Sequence, residues 1–438
     1  MKKLFKLLVA CSMALTLVAC GGTKGSDTIT GTYSIHVDGF DWGCGTTKAT
    51  LTLDYVLDAV KAEDFVVTET KAATDWTDPE FAVKEQTFDR IVTKAYLSDA
   101  DGNETTEPSK NVTLELAVDP NAGSPFNYSL VTGRNTWCDP YFLTIGLAEG
   151  AALTSGGTEV TSFTVDTAYT ARTTNADNFK QETFTATDGT EYSYAHYKVD
   201  GAKTLFVWLH GGGEGGTDPY IPLLANRVTA FTQEEFQSSF DTGVSVLVPQ
   251  TPTYWMQEDG DGEEMGRSGN SIYLESLVEL IDKYKEECGA EKVVISGCSN
   301  GGYMTLAIAR TQADKYDAYI PICEGIDDKY MTDEHINTLK DLPLYFIYSN
   351  DDTTLDPKIY SKPTIERLKK AGATNLHVST TDHVVDLSGQ YKAEDGSPYQ
   401  YAGHWSWIYF DNNDTSCDEC EISAFEWAAE TLGLTPAK

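Results

Sequence analysis

Six residues, Gly297-Cys298-Ser299-Asn300-Gly301-Gly302, join an apolar strand to an apolar helix. Residues 292–296 read Lys-Val-Val-Ile-Ser, and residues 302–310 read Gly-Tyr-Met-Thr-Leu-Ala-Ile-Ala-Arg. A chain that leaves a strand and enters a helix with nothing between has no room for large side chains at the corner, which accounts for the glycines. It also lifts the central residue, Ser299, out of the corner, where its hydroxyl is free to react. A Gly-x-Ser-x-Gly pattern alone is common; the strand before and the helix after make it informative.

The surrounding text fits that corner. From about residue 178 onward, short buried runs (204–209, 244–248, 292–296, 318–322, 342–348 and 376–380) alternate with helical ones (272–284, 302–310, 364–371 and 422–432). Apolar strands that alternate with helices indicate a mostly parallel sheet covered on both faces. A hairpin, 182–187 and 191–199 around Asp188-Gly189, precedes them. Residues 28–171 read differently. Alternating or β-branched runs at 30–37, 49–56, 65–70, 111–118, 141–147 and 159–165 are separated by turn residues such as Asp101-Gly102-Asn103. Short strands at that spacing predict an all-β sandwich. Residues 172–178 read as a polar connector. The expected fold is therefore α/β over 178–438, preceded by a β-sandwich over 28–171, and a length of 438 residues allows both.

Composition narrows the class further. Hydrophobic residues make up 41% and charged residues 23%, enough to build cores and too ordered a mixture for a disordered chain. A net charge of −35 repels phosphate backbones, so no nucleic-acid partner is expected. Residues 1–20 combine Lys2, Lys3 and Lys6 with an apolar run, 7–17, too short for a comfortable membrane span. The run ends in Leu17-Val18-Ala19-Cys20-Gly21, which resembles the lipobox of bacterial lipoproteins. That resemblance implies an exported protein, lipidated at Cys20 and held on the outer side of the cytoplasmic membrane or secreted, with 21–27 as a short tether. Its only membrane contact would be the lipid.

Nine cysteines are present. Cys44 and Cys138 are a candidate bridge. Cys417 and Cys420 form a lone Cys-x-x-Cys, read as a local disulfide or two thiols, since a zinc site needs further ligands that the sequence does not supply. The acidic run 259–264 lacks EF-hand order and is expected to be a solvated loop. No metal and no cofactor is expected.

Four further stretches bear on the chemistry of Ser299. Trp208-Leu209-His210-Gly211-Gly212-Gly213-Glu214 ends the first long buried strand. Its backbone N–H groups, with Gly212 and Gly213 the candidates, suit the negative oxygen of a tetrahedral intermediate, and the N–H of Asn300 would be the second donor. His210 is expected to be a structural hydrogen-bonder. Asp352 follows a later strand and is the candidate acid, with Asp351 in reserve and Asp356 less suited. His404, in Gly403-His404-Trp405-Ser406-Trp407, is preferred to His383 as the base, because a flexible glycine and packing aromatics can fix an imidazole above a pocket. Trp255, Tyr303 and Trp405, with Tyr254 and Tyr401, are candidate pocket-lining residues, against the simpler reading that they pack in the core.

The order Ser299, Asp352, His404 is that of α/β-hydrolases. Residues 179–433 resemble the esterase and polyhydroxybutyrate-depolymerase-like branch of that superfamily, close to feruloyl esterases, through 209–216, 296–302, 319–325, 351–355 and 404–407. The β-rich region resembles, more weakly, the Ig-like domain that precedes the hydrolase in some of these enzymes. Ser349-Asn350 replaces the His-Gly usual before the acid's loop, which loosens the alignment of Asp352. The resemblance implies an exported serine carboxylic-ester hydrolase that works through an acyl-enzyme on acyl or feruloyl esters of glycans, or on polyesters. A prolyl-oligopeptidase-type peptidase shares the fold and the residue order, but 28–171 is too short for a propeller. A non-catalytic binding protein on the same fold is a third possibility.

Overall fold

The computed structural model describes residues 28–260, 264–313 and 315–434. The leader at 1–20 with Cys20, the tether at 21–27 and residues 261–263 of the acidic run lie outside the described residues. Among the described residues no helix is long and apolar enough to cross a membrane.

Thirteen strands precede residue 175: β1 (Thr28–Phe40), β2 (Gly43–Leu57), β3 (Phe65–Thr74), β4 (Val83–Arg90), β5 (Val92–Ser98), β6 (Ser109–Leu116), β7 (Phe126–Ser129), β8 (Arg134–Trp137), β9 (Tyr141–Leu147), β10 (Leu153–Ser155), β11 (Thr158–Val160), β12 (Ser162–Val165) and β13 (Arg172–Thr174). One sheet runs β12-β1-β2-β6-β5, with β13 also on β1, and β4-β3-β9 form a second. Alternate residues of the two sheets, among them Tyr33, Ile35, Leu51, Val67, Leu114 and Leu143, share one apolar core. A buried ionic knot crosses it. Arg90 meets Glu69 at 2.5 Å and donates to the carbonyls of Thr46 and Ala117, while Lys71 reaches Glu69 at 2.9 Å. Pairing satisfies charges that would otherwise be costly to bury.

The second unit carries β14 (Lys180–Thr185), β15 (Glu191–Tyr197), β16 (Thr204–Leu209), β17 (Val244–Gln250), β18 (Lys292–Cys298), β19 (Ala318–Ile322), β20 (Leu344–Ser349) and β21 (Leu376–Thr381). Its helices are α1 (Tyr220–Leu224), α2 (Glu234–Gln237), α3 (Leu274–Cys288), α4 (Asn300–Thr311), α5 (Asp333–Leu339), α6 (Ser361–Ala371), α7 (Trp407–Asp411) and α8 (Ala424–Thr431). The sheet order is β14-β15-β17-β16-β18-β19-β20-β21. β15 pairs antiparallel on both sides, and every pair from β17 onward is parallel. This is the mostly parallel, covered sheet expected from the alternation, in the α/β-hydrolase arrangement that the resemblance implies. Strands β16, β17, β18 and β20 are almost wholly buried, as apolar strands with both faces covered must be.

Two expectations about the N-terminal region change. Residues 172–174 of the expected connector are strand β13, paired in parallel with β1, so the polar link is shorter than residues 172–178. The sandwich core is continuous with one of the two apolar clusters of the hydrolase unit. A single apolar cluster runs from Ile29 and Leu51 through Leu223 and Leu224 to Phe206, Trp208 and Phe410. Cys44 and Cys138 are both buried free thiols, so the candidate bridge is absent.

Candidate active site

The corner at the end of β18 is built as the glycines require. Ser299 has φ 54° and ψ −110°, a strained conformation, and α4 begins at the next residue. A β-carbon on Gly301 would lie 1.8 Å from the carbonyl oxygen of Leu209, and one on Gly297 would lie 2.5 Å from it. The strand carrying the oxyanion-loop candidates therefore packs directly against the corner, and only glycine permits that approach. The Ser299 N–H donates to Ile322 on β19, which fixes the corner to the sheet. Cys298 beneath it is wholly buried, and burial pushes its thiol well above the ordinary range, leaving it a packing residue.

Ser299 Oγ lies 2.8 Å from Nε2 of His404, whose Nδ1 lies 2.7 Å from Oδ2 of Asp352. The other oxygen of Asp352 accepts the N–H groups of Thr354 and Leu355 at 2.8 and 2.9 Å. The carboxylate is thus held by its own turn and has one free oxygen to offer the imidazole. His404 reaches Ser299 on the long segment between β21 and α7. Trp407 meets its ring edge to face at 5.6 Å and is itself tethered through Nε1 to Asn226. Gly403 makes the turn possible: a β-carbon there would sit 2.1 Å from Oδ1 of Asp351.

The competing residues go elsewhere. His383 pairs with Asp351 at 2.8 Å on an exposed edge, and Asp356 accepts the N–H of Lys358 in its own turn. The structure brings together Ser299, Asp352 and His404 and leaves His383, Asp351 and Asp356 outside the chain of hydrogen bonds.

Residues 212–214 form a single 3-10 turn after β16. Gly212 lies beside the corner, its β-carbon position 3.6 Å from Nδ2 of Asn300 and 2.9 Å from Cε of Met265. Asn300 accepts the Met256 N–H at 3.1 Å, tying α4 to the segment after β17. Gly213 faces the N-terminal unit, 3.1 Å from Asn135 and 3.5 Å from the ring of Tyr128, measured from its β-carbon position. His210 is structural, as expected. Its Nδ1–H donates to the Gly211 carbonyl at 2.7 Å and its Nε2 accepts the Thr251 N–H at 3.1 Å, while burial lowers its pKa to about 4.

The aromatic expectations need correction. Trp255 and Tyr303 are wholly buried and line no cleft. Trp255 packs among Tyr192, His210 and Tyr273 behind the glycine loop, and Tyr303 donates to Glu258 at 2.7 Å. Tyr401 and Tyr254 are also buried, and Tyr254 donates to the Thr132 carbonyl. Trp405 alone is half-buried, packed on Tyr401 and Trp407.

Sequence reasoning missed the contribution of the β7–β8 hairpin. Asn135 donates to Glu214 at 3.3 Å, Trp137 to Asp218 at 2.9 Å, and Arg134 lies over the ring of Tyr254 at 4.9 Å. Glu214 is fully enclosed, and burial lifts its carboxyl to about 7 against the hydrogen bonds from Gly211 and Asn135. At the tip, Tyr128, Leu130 and Val131 are exposed apolar residues, with Tyr128 against Gly213 and Met265 against Gly212 of the glycine loop. A cavity of about 340 Å³ between Arg134–Trp137 and Gly215–Asp218 lies behind that loop and includes neither Ser299 nor His404. No motif links residues 126–137 to the glycine loop; only the exposed apolar tip carried any signal.

Residues 32–193 match the family described as the esterase Ig-like N-terminal domain. No curated protein matches the chain in sequence. Among solved structures, a thermostable esterase is similar at 21% identity with a TM-score of 0.68, over 89% of this chain and 97% of that one. A ferulic acid esterase aligns at 13% identity and TM-score 0.37, over 47% of this chain and 90% of its own. An S-formylglutathione hydrolase of Staphylococcus aureus aligns at 15% and 0.35, over 46% and 90%. The chain therefore joins an Ig-like N-terminal domain of the esterase type to an α/β-hydrolase fold.

Proposed function

We propose that the protein is a serine hydrolase of carboxylic esters, with Ser299 as nucleophile, His404 as general base and Asp352 as the residue that orients it. The observation that carries this reading is the continuous hydrogen-bonded chain from Ser299 Oγ through His404 to a buried, turn-held Asp352. His404 takes the hydroxyl proton as Oγ attacks the ester carbonyl. The N–H groups of Asn300 and of the Gly212-Gly213 turn stabilise the resulting oxyanion, each such donor contributing roughly 3–4 kcal/mol in comparable sites. His404 then returns the proton to the departing alcohol, and water releases the acyl group by the same steps in reverse. In this reading the β7–β8 hairpin serves the chemistry, because Asn135 braces the carboxyl at the end of the glycine loop.

The proposed substrates are acyl or feruloyl esters of glycans, or polyesters. Tyr128 and Met265 beside the glycine loop, and half-buried Trp405 next to His404, favour a ligand with an apolar acyl or aromatic group. Export and lipid anchoring through Cys20 belong to the same proposal. A panel of p-nitrophenyl esters beside aminoacyl-nitroanilides tests the reaction class. Ester turnover that disappears in Ser299→Ala supports it; nitroanilide cleavage alone, or ester cleavage that survives the substitution, overturns it. Mass spectrometry of the mature N-terminus tests the anchor: an unlipidated start elsewhere in the chain refutes it.

A further inference from the structure

The Cys-x-x-Cys that read as isolated in the sequence has a third partner in space. His377, near the start of edge strand β21, brings a ring nitrogen to within 3.3 Å of Cys420 Sγ, and the ligand atoms of His377, Cys417 and Cys420 all lie within 4.8 Å of one another. Both cysteines are free thiols. We propose that these three side chains bind a zinc ion whose role is structural.

The turn that carries the cysteines is fixed independently of any metal. The Asp418 N–H donates to the Val378 carbonyl at 2.8 Å, and the Asp418 carboxylate accepts both the N–H and the hydroxyl of Thr380 at 2.9 Å. Residues 417–420 are thereby fastened along β21, next to His377. Cys417 accepts the N–H of Glu421 and donates its own to Ile422, a tight fold with Glu421 at φ 58°. The imidazole is also prepared. It stacks on Tyr345 at 5.9 Å and lies 5.8 Å from Trp427 of α8, two rings that hold it in place beside the cysteines.

Two sulfurs and one imidazole form a soft, mixed donor set that suits zinc better than calcium or magnesium. Cys417 is buried and Cys420 exposed, which leaves the solvent side for a fourth ligand, a water. Binding releases two thiol protons to solvent and exchanges them for Zn²⁺, so the local charge does not change. The sulfurs stand 2.6 Å apart, and tetrahedral zinc with Zn–S bonds of about 2.3 Å holds a pair roughly 3.8 Å apart, so Cys420 on the exposed side must swing outward by about 1 Å. The site lies at the start of β21, whereas Thr381 at the other end of that strand meets Asn350 beside the triad. It is thus remote from Ser299, and its effect is to tie α8 and its leading turn to edge strand β21, an edge that would otherwise invite pairing with another chain.

The test uses the full chain, purified under reducing conditions and given one equivalent of zinc. Elemental analysis after dialysis should find one zinc per chain, falling to background in Cys417→Ser and in His377→Ala, and cobalt(II) should give the absorption of a tetrahedral thiolate site. A chelator should lower Tm for the original chain and not for Cys420→Ser, while ester turnover stays within about twofold in every variant. Should a cysteine variant fail to fold, His377→Gln and the cobalt titration still decide the matter. Free thiols with no retained zinc overturn the proposal, and so does a Cys417–Cys420 disulfide found by mass in protein recovered from its native compartment.

Discussion

Two histidine–aspartate pairs stand side by side above the end of β20, and they use consecutive aspartates. Asp351 meets His383 at 2.8 Å and Asp352 meets His404 at 2.7 Å. The lengths differ by only 0.1 Å, and the surroundings are opposite. The side chains of His383 and Asp351 are 59% and 31% exposed, and those of His404 and Asp352 are 12% and 1% exposed. Water screens the first pair, and its chain of hydrogen bonds ends in Ser349 and the local turn. The second pair is shielded, held by backbone donors, and continues to a serine hydroxyl. A hydrogen-bonded His–Asp pair is therefore common chemistry on a surface; what distinguishes a reactive one is the residue at its far end and the exclusion of solvent around it.

The sharpest way to break this comparison is to remove one member of each chain. Ser299→Ala and His404→Ala should each lower kcat on a p-nitrophenyl ester by up to about 10⁶-fold, with little further loss in the double variant, since residues acting as one unit are not additive. Independent, multiplicative losses would show that the two do not act together. Asp352→Asn should cost about 10⁴-fold through the wrong imidazole tautomer, while Asp351→Asn leaves kcat within about threefold. Equal effects of the two asparagines would erase the distinction between the pairs.

Gly403→Ala probes the ground between them. The added methyl meets Asp351 and its backbone, so the segment carrying His404 must move, and a displacement near 1 Å should cost about 10²-fold in kcat with the fold intact by circular dichroism. The smallest effect belongs to the exposed pair. His383→Ala should keep turnover within about twofold and cost less than about 1 kcal/mol in urea unfolding. Burial nudges Asp351 upward, but hydrogen bonds from Ser349 and His383 outweigh it and hold the carboxyl below its usual value. A depressed folded pKa stabilises above the unfolded value and ceases to do so as pH falls through the folded one. The variant should therefore differ from the original chain at neutral pH, begin to converge with it below about pH 4, and meet it only below the depressed pKa of Asp351; a difference that persists in stronger acid would mean that packing, and not the ion pair, was lost.

Much of the hydrolase unit was legible because its signals are local. Apolar runs that alternate with helical ones gave the parallel sheet, and the glycines at 297, 301 and 302 gave the corner. Strand β4, Val-Lys-Glu-Gln-Thr-Phe-Asp-Arg, was not legible: it is an exposed edge with almost no buried face, so no alternation was imposed on it. Helices α1, α2 and α7, of four or five residues, are too short to display a period. Trp255 and Tyr303 show the limit for aromatics, since a ring beside a reactive loop reads the same whether it faces the cleft or the core.

What the sequence by itself determined is a corner, an order and a class. The strand–Ser–helix junction is set by backbone sterics within six residues, and the succession of a serine, then an aspartate, then a histidine after later strands is the α/β-hydrolase order. The tertiary structure decided which aspartate of an adjacent pair turns inward, because that depends on the Thr354 and Leu355 donors and on Gly403 passing over Asp351. It decided that the β7–β8 hairpin of the N-terminal unit braces Glu214, and that His377 meets Cys417 and Cys420. Each of these joins residues that are 40 or more positions apart or that diverge from neighbours of the same type. Such contacts are fixed by how whole elements pack, and no local pattern in the chain encodes them.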